Sequence, residues 1–371
     1  MAPRAAPPSG DAGPRSPIGW DTAERVATRV AGREPLQDSY HYASLQTDFD
    51  ELTAEAEHLV GETTGLVSAA GPARARVVDR AGWVTANVAS FQRLLRPVVD
   101  RFAARMSGPA APVGRAITGA QVGALLGFMS TRVLGQYDLL VLEDEQPEQQ
   151  DLVYYVGPNI LALEKRYSFP PREFRLWLAL HEVTHRAQFT GVPWLRQHYL
   201  GLVEEVLDVA DMDSKRLLDA LRRVVDEVAH RRNPLAEGGL PGLLATAEQR
   251  LVFSRLNGLM SLLEGHGDTT MDRAGAARIP SAERFGRVLR QRRQQANPLI
   301  KLLLQAVGFE AKLAQYEAGE RFIEAVEAEG GPALLDRVWE RPQHLPSLEE
   351  VGEPTRWVAR MQDSRPVSPS L

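Results

Sequence analysis

The sequence predicts a mainly α protein with a small β element, an α+β chain whose chemistry sits on one helix. Three observations lead there. Apolar residues recur at three- and four-residue spacing over most of the chain. One stretch, 136–163, is instead rich in β-branched, aromatic and aliphatic residues. Directly after it comes a helical segment that contains His181-Glu182-Val183-Thr184-His185.

Taken in order, residues 20–30 and 44–64 read as amphipathic helices. Gly71-Pro72 is a break, and 73–106 reads as helical again, kinked or split at Pro97. Residues 108–114 form a loop. The segment 119–134 is a helix with Gly119, Gly123 and Gly127 on one face, a pattern that permits close packing against another helix. Two short strands follow, 136–143 and 151–163, paired as a hairpin around the solvated DEQPEQQ loop. Pro170-Pro171 introduces the motif helix, 172–189, which Gly191 and Pro193 end. Helices are expected at 194–212, 214–230, 243–264 and 297–328, with a Pro/Gly loop over 231–242. Residues 1–17, rich in Pro, Ala, Gly and Ser, are expected to be disordered. A single domain is expected over 18–362, followed by a loose tail, 363–371.

Composition excludes several kinds of chemistry. The 371 residues include no cysteine, so disulfides, thiolate metal sites and a cysteine nucleophile are ruled out. Any metal must be held by His, Asp or Glu. The net charge of −5 gives no global reason to expect a nucleic-acid partner. No apolar run is long enough to span a membrane, and the N-terminus lacks the apolar core of a signal peptide. A soluble cytoplasmic protein is expected.

The motif is an H-E-x-x-H sequence. On a helix its two histidines share a face one turn apart, so both imidazoles can reach one ion. Neutral imidazole is a good zinc ligand, and zinc leaves two further positions to fill. Glu182, about 100° round the helix from His181, borders the metal without ligating it. That suits a general base for a metal-bound water. At this chain's own His and Glu frequencies a chance match is expected roughly 0.01 times. Phe174, Trp177, Leu178 and Leu180 mark the helix as buried, where two histidines and a glutamate without partners would be costly.

The third ligand must come from elsewhere. A His six residues beyond His185 is absent, since that position is Gly191. The segment Glu264-Gly265-His266-Gly267-Asp268 offers candidates directly after an apolar run. If a helix continues through both glycines, Glu264 and Asp268 share a face. Glu264 would then complete the site, and Asp268 would accept the free N–H of a ligating histidine. His266 is the rival third ligand; if Glu264 ligates, His266 is left to bind substrate or polarise a carbonyl. Tyr154, Tyr155, Gly157 and Asn159 sit where a sheet edge could hold a peptide substrate, which makes Tyr155 a candidate substrate contact.

Longer blocks carry a family resemblance. HEVTHRAQFTGVPWLRQHYL, VVDRAGWVTANVASFQRLLRPV, LGQYDLLV, YYVGPNI, LLEGHGDTTMD and LPSLEEVGEPTRWVAR resemble a family of actinobacterial zincin-like metallopeptidases. Several of its members are labelled as associated with biosynthesis of the deazaflavin coenzyme. The resemblance implies a zincin-like fold, a zinc ion on His181 and His185, Glu182 as catalytic glutamate, and a peptide or protein substrate. It favours Glu264 as third ligand, although the 79 residues from His185 to Glu264 are a longer spacing than in the best-known Glu-type zinc proteases.

Two other functions compete with a zinc peptidase. Glu55-x-x-His58 and Glu182-x-x-His185, with Glu204 and Glu264, could form a di-iron carboxylate bundle. That reading leaves His181 unexplained. A non-catalytic zinc-binding scaffold is the other; the intact Glu182 argues against it.

Overall fold

The computed structural model describes residues 16, 18–32, 34, 36–96, 111–139, 151–208, 247–294 and 309–363. In chain order the elements are α1 (Trp20–Ala31), α2 (Tyr40–Thr64), β1 (Arg74–Val78), α3 (Arg80–Leu94), α4 (Ala111–Ser130), β2 (Gly135–Tyr137), β3 (Leu152–Val156), α5 (Gly157–Tyr167), α6 (Pro171–Gly191), α7 (Leu195–Asp208), α8 (Ala247–Gly275), α9 (Ala282–Gln294) and α10 (Phe309–Gly330). Short helices α11 (Pro332–Leu335), α12 (Leu348–Gly352) and α13 (Pro354–Asp363) close the chain. This is the expected mainly α architecture with one small sheet. The described residues fall into two compact units, those within 1–46, 76–150 and 154–163 in the first and those within 47–75, 151–153 and 164–371 in the second.

The first unit is built on a close helix pair. A Cβ on Gly119, Gly123 or Gly127 of α4 would overlap the backbone oxygen of Gly19, Ala23 or Ala27 respectively. The small-residue face therefore lets α1 and α4 pack backbone to backbone, as the spacing predicts. Trp20, Trp83, Val84, Val88 and Leu126 complete that core. The sheet runs β1-β3-β2, and all five residues of β3 are buried.

Several expectations need correction. Residues 74–78 are a strand, not the start of a long helix. Val77 and Val78 favour the pleated surface, and helix α3 can start only at Asp79, whose Oδ1 accepts from Gly82 N at 2.6 Å. Helix α4 begins at Ala111, where a loop was expected. The second strand ends at Val156; Gly157 and Pro158 open helix α5, with Pro158 in the first turn where its missing N–H costs nothing. Helix α9 and the strand β1 were not anticipated. The expected kink at Pro97, the end of the first strand (140–143), the loop 144–150, the helix 214–230, the loop 231–242 and the terminal segments lie outside the described residues.

β3 also offers no free edge to a peptide, because it has a neighbour on each side. Tyr155 is fully buried within it. Asn159 is occupied structurally: its Nδ2 donates to Ser130 O and Val133 O, each at 2.7 Å, and its Oδ1 accepts from Arg80 Nε at 2.8 Å.

In the second unit helix α6 is the spine. Pro171 sits in its first turn, and fourteen of its residues are buried. Phe174 and Trp177 meet Phe169 and Phe285 in an aromatic cluster with ring centroids 4.7–6.2 Å apart. Such edge and offset contacts add to the burial of large rings. A second cluster, around Phe322, Ile323, Trp357 and Met361, packs on Leu262 of α8.

Two buried arginines tie α6 down. Arg175 binds both oxygens of Glu164, at 2.7 and 2.8 Å, and also Asp48. Arg186, next in sequence to His185, has a side chain only 1% exposed. It binds both oxygens of Asp151, Glu57 Oε1 at 2.6 Å and the carbonyl of Gly71 at 2.6 Å. One guanidinium thus fixes three separate chain segments onto the motif helix, a planar, bidentate task that Lys cannot perform.

Two outcomes are expected. Gly123→Ala forces α1 off α4 and lowers stability by about 1–3 kcal/mol, read as a lower denaturant midpoint with unchanged slope. Arg186→Leu leaves Asp151 and Glu57 without their shared cation and costs about 3 kcal/mol or more, whereas Arg172→Leu, at a mostly exposed pair with Glu55, costs under about 1 kcal/mol. Equal effects of the two arginine variants would contradict the anchoring role.

Candidate metal centre

His181 and His185 stand one turn apart on α6, and Glu264 comes from α8. Helix α8 runs unbroken through Gly265 and Gly267 to Gly275, so Glu264 and Asp268 do share a face. Its course there is set by backbone packing. A Cβ on Gly265 would overlap the backbone of Gly319 in α10, and one on Gly319 would overlap the carbonyl of Ser261. Gly267 faces the histidines: a Cβ there would lie 3.4 Å from His185 Cε1 and 3.6 Å from His181 Cε1. The bare backbone of α8 thus lies against the two rings.

Three donor atoms meet at this contact. His181 Nε2 and His185 Nε2 are 3.3 Å apart. Glu264 Oε2 is 3.8 Å from the first and 3.6 Å from the second. Among the described residues this is the group of three His or acidic residues compact enough to hold one ion. The circle through the three atoms has a radius of about 2.1 Å, the length of zinc bonds to imidazole nitrogen and carboxylate oxygen. Two imidazoles and one carboxylate are also a donor set suited to zinc. The residues present therefore fit a zinc ion.

The surroundings are polar in an ordered way. Glu182 is buried, and its charge acts on His185. Asp268 Oδ1 is 3.6 Å from His181 Nδ1. Burial disfavours the charged form of His185, but the hydrogen bond and charge of Glu264, and the charge of Glu182, outweigh it and push its pKa up to about 9. The same pull that holds a proton there would hold a cation.

His266 is placed apart from the three donors. Its Nδ1 is 2.9 Å from Gln188 Nε2, and its ring meets Trp339 edge-on at 5.1 Å. Burial first, then the charges of His185 and Arg273, hold its pKa down to about 3. Of the two candidates for third ligand, the fold brings Glu264 to the histidines and turns His266 Nδ1 to the Gln188 amide. Tyr155 stays inside its strand.

The residues of the di-iron reading do not assemble. His58 has a side chain 72% exposed and pairs with Glu62, Glu55 pairs with Arg172 and Arg278, and Glu204 is exposed. Gln188 escaped the sequence reading. Its signal was its place three residues after His185, on the neighbouring face of the same helix.

No curated protein is detectably similar in sequence. A solved structure from Chloroflexus aurantiacus, described as "a putative hydrolase with a novel fold", is 31% identical, with a TM-score of 0.69 over 93% of this chain and 99% of that one. The sequence pattern of the zincin-like metallopeptidases matches residues 18–358, from before α1 into α13. With residues 18–358 matched, and His181 and His185 of one helix beside Glu264 of another, the chain belongs to the zincin-like metallopeptidase family.

Proposed function

We propose that this protein is a zinc-dependent peptidase with His181, His185 and Glu264 as metal ligands and Glu182 as general base. The convergence of three donor atoms at zinc-binding distances beside a buried glutamate carries the reading. A peptidase family implies a peptide or protein substrate. The deazaflavin label is a genomic association and names no reaction, so the reading does not draw on it. The cytoplasmic location expected from the cysteine-free sequence is part of the proposal.

Bound zinc would supply Lewis acidity to the scissile carbonyl and lower the pKa of the attacking water. The remaining work falls to the chain. His181 and His185 present their Nε2 lone pairs, and Glu264 closes the third side. The Asp268 carboxylate beside His181 Nδ1 favours the proton on that nitrogen and so leaves Nε2 to donate. Glu182 takes the proton of the attacking water and passes it to the leaving amine. Its burial keeps this transfer away from bulk solvent. A non-catalytic scaffold would need the ligands and not the base, so Glu182 separates the two functions.

Metal analysis of the purified protein is expected to find about one zinc per chain, lost in His181→Ala and Glu264→Ala. Glu182→Gln should retain the metal and lose hydrolysis of a mixed peptide pool by about 100-fold or more. Full zinc in Glu264→Ala would overturn the ligand assignment. No hydrolysis by the wild type with zinc bound would leave the scaffold function in its place, and hydrolysis unchanged in Glu182→Gln would overturn the general-base role of Glu182.

A further inference from the structure

Gln188 is fully buried on α6, and its amide reaches three groups on two helices. Its Oε1 is 3.0 Å from His185 Nδ1. Its Nε2 is 3.0 Å from the carbonyl oxygen of Leu263 and 2.9 Å from His266 Nδ1. These contacts fix which way the amide faces and which hydrogens it shares. A carbonyl oxygen only accepts, so the amide atom facing Leu263 must be the –NH₂ nitrogen. The amide oxygen therefore faces His185, and it too only accepts. His185 must carry its proton on Nδ1 and donate it. In the neutral ring, the form that binds a metal, that leaves a lone pair on His185 Nε2, the atom already 3.3 Å from His181 Nε2 and 3.6 Å from Glu264 Oε2. The second amide hydrogen points at His266 Nδ1, which must accept it.

We infer that Gln188 is a positioning residue that sets the tautomer of His185 for metal binding, with its own orientation set by Leu263 and His266. This rests on the metal-centre reading above. It gives His185 Nδ1 a neutral, hydrogen-bonded partner at 3.0 Å, where His181 Nδ1 has the Asp268 carboxylate at 3.6 Å. It also links the ligand helices mechanically. Leu263 precedes Glu264, and His266 lies two residues beyond it, so one side chain on α6 holds the stretch of α8 that presents the third ligand. His266 has a defined task here as the acceptor that completes the amide's orientation.

The test uses the full-length protein with ¹⁵N-labelled histidine, loaded with zinc, and the His185 signal is assigned by its loss in His185→Gln. Long-range ¹H–¹⁵N correlation is expected to show metal on Nε2 and a slowly exchanging proton on Nδ1. Gln188→Leu, which keeps the volume and removes every polar contact, should weaken zinc binding about 10- to 100-fold in chelator competition, and the Nδ1 proton should exchange faster with water. A proton found on His185 Nε2 in the wild type would overturn the inference without any variant. So would a folded Gln188→Leu protein with wild-type zinc affinity and proton exchange. Failure of the wild type itself to bind zinc would overturn the metal-centre reading, and this inference with it.

Discussion

Three donor atoms on two helices, each within 3.8 Å of the others, form the constraint on which this structure depends. A one-turn pair such as His181 and His185 needs only a regular helix. Glu264 needs two helices held at fixed separation and register, because a shift of one residue along α8 would rotate its carboxylate about 100° away. Much of the second unit serves that requirement. The aromatic cluster fixes the first half of α6, Arg186 fixes its second half, and the Gly265–Gly319 contact fixes α8 against α10. Interiors packed this closely transmit small displacements, so these remote contacts bear on the metal site without touching it.

How much was legible in the sequence follows from how local each feature is. The motif helix and its paired histidines could be read directly, since both the spacing and the burial pattern lie within twenty residues. Glu264 and Asp268 could be proposed as a pair, but only folding reveals that α8 continues through two glycines. Gly265 and Gly267 look like helix breakers in sequence; here Gly265 is required by the close approach of Gly319, and Gly267 faces the histidine rings. Gln188 was legible only as a polar residue one turn after His185. A glutamine makes hydrogen bonds in any setting, and nothing in its neighbours announces that its partners lie 75 and 78 residues further on.

The β element was legible in kind and not in extent. The run 152–163 is apolar apart from Asn159, and such a run does not distinguish a buried strand from a buried helix. The structure divides it at Gly157, strand before and helix after. The opposite error occurred at 74–78, where two arginines alternate with smaller residues and mask a short strand inside what reads as one helical stretch. In both places the sheet decides: β3 gains a partner on each side, and the helices begin where Asp79 and Pro158 can satisfy a first turn.

Charge gives an independent argument for a cation at the centre. Glu182, Glu264 and Asp268 bring three carboxyl groups to a pair of imidazoles, in a site where Glu182 and the Glu264 side chain are only 7% and 13% exposed. Buried carboxylates demand a compensating positive charge. In the metal-free site that charge can come from protonated imidazole, and the pKa of His185 is indeed pushed up to about 9. A divalent ion supplies the charge more directly, with both rings neutral and their Nε2 lone pairs engaged.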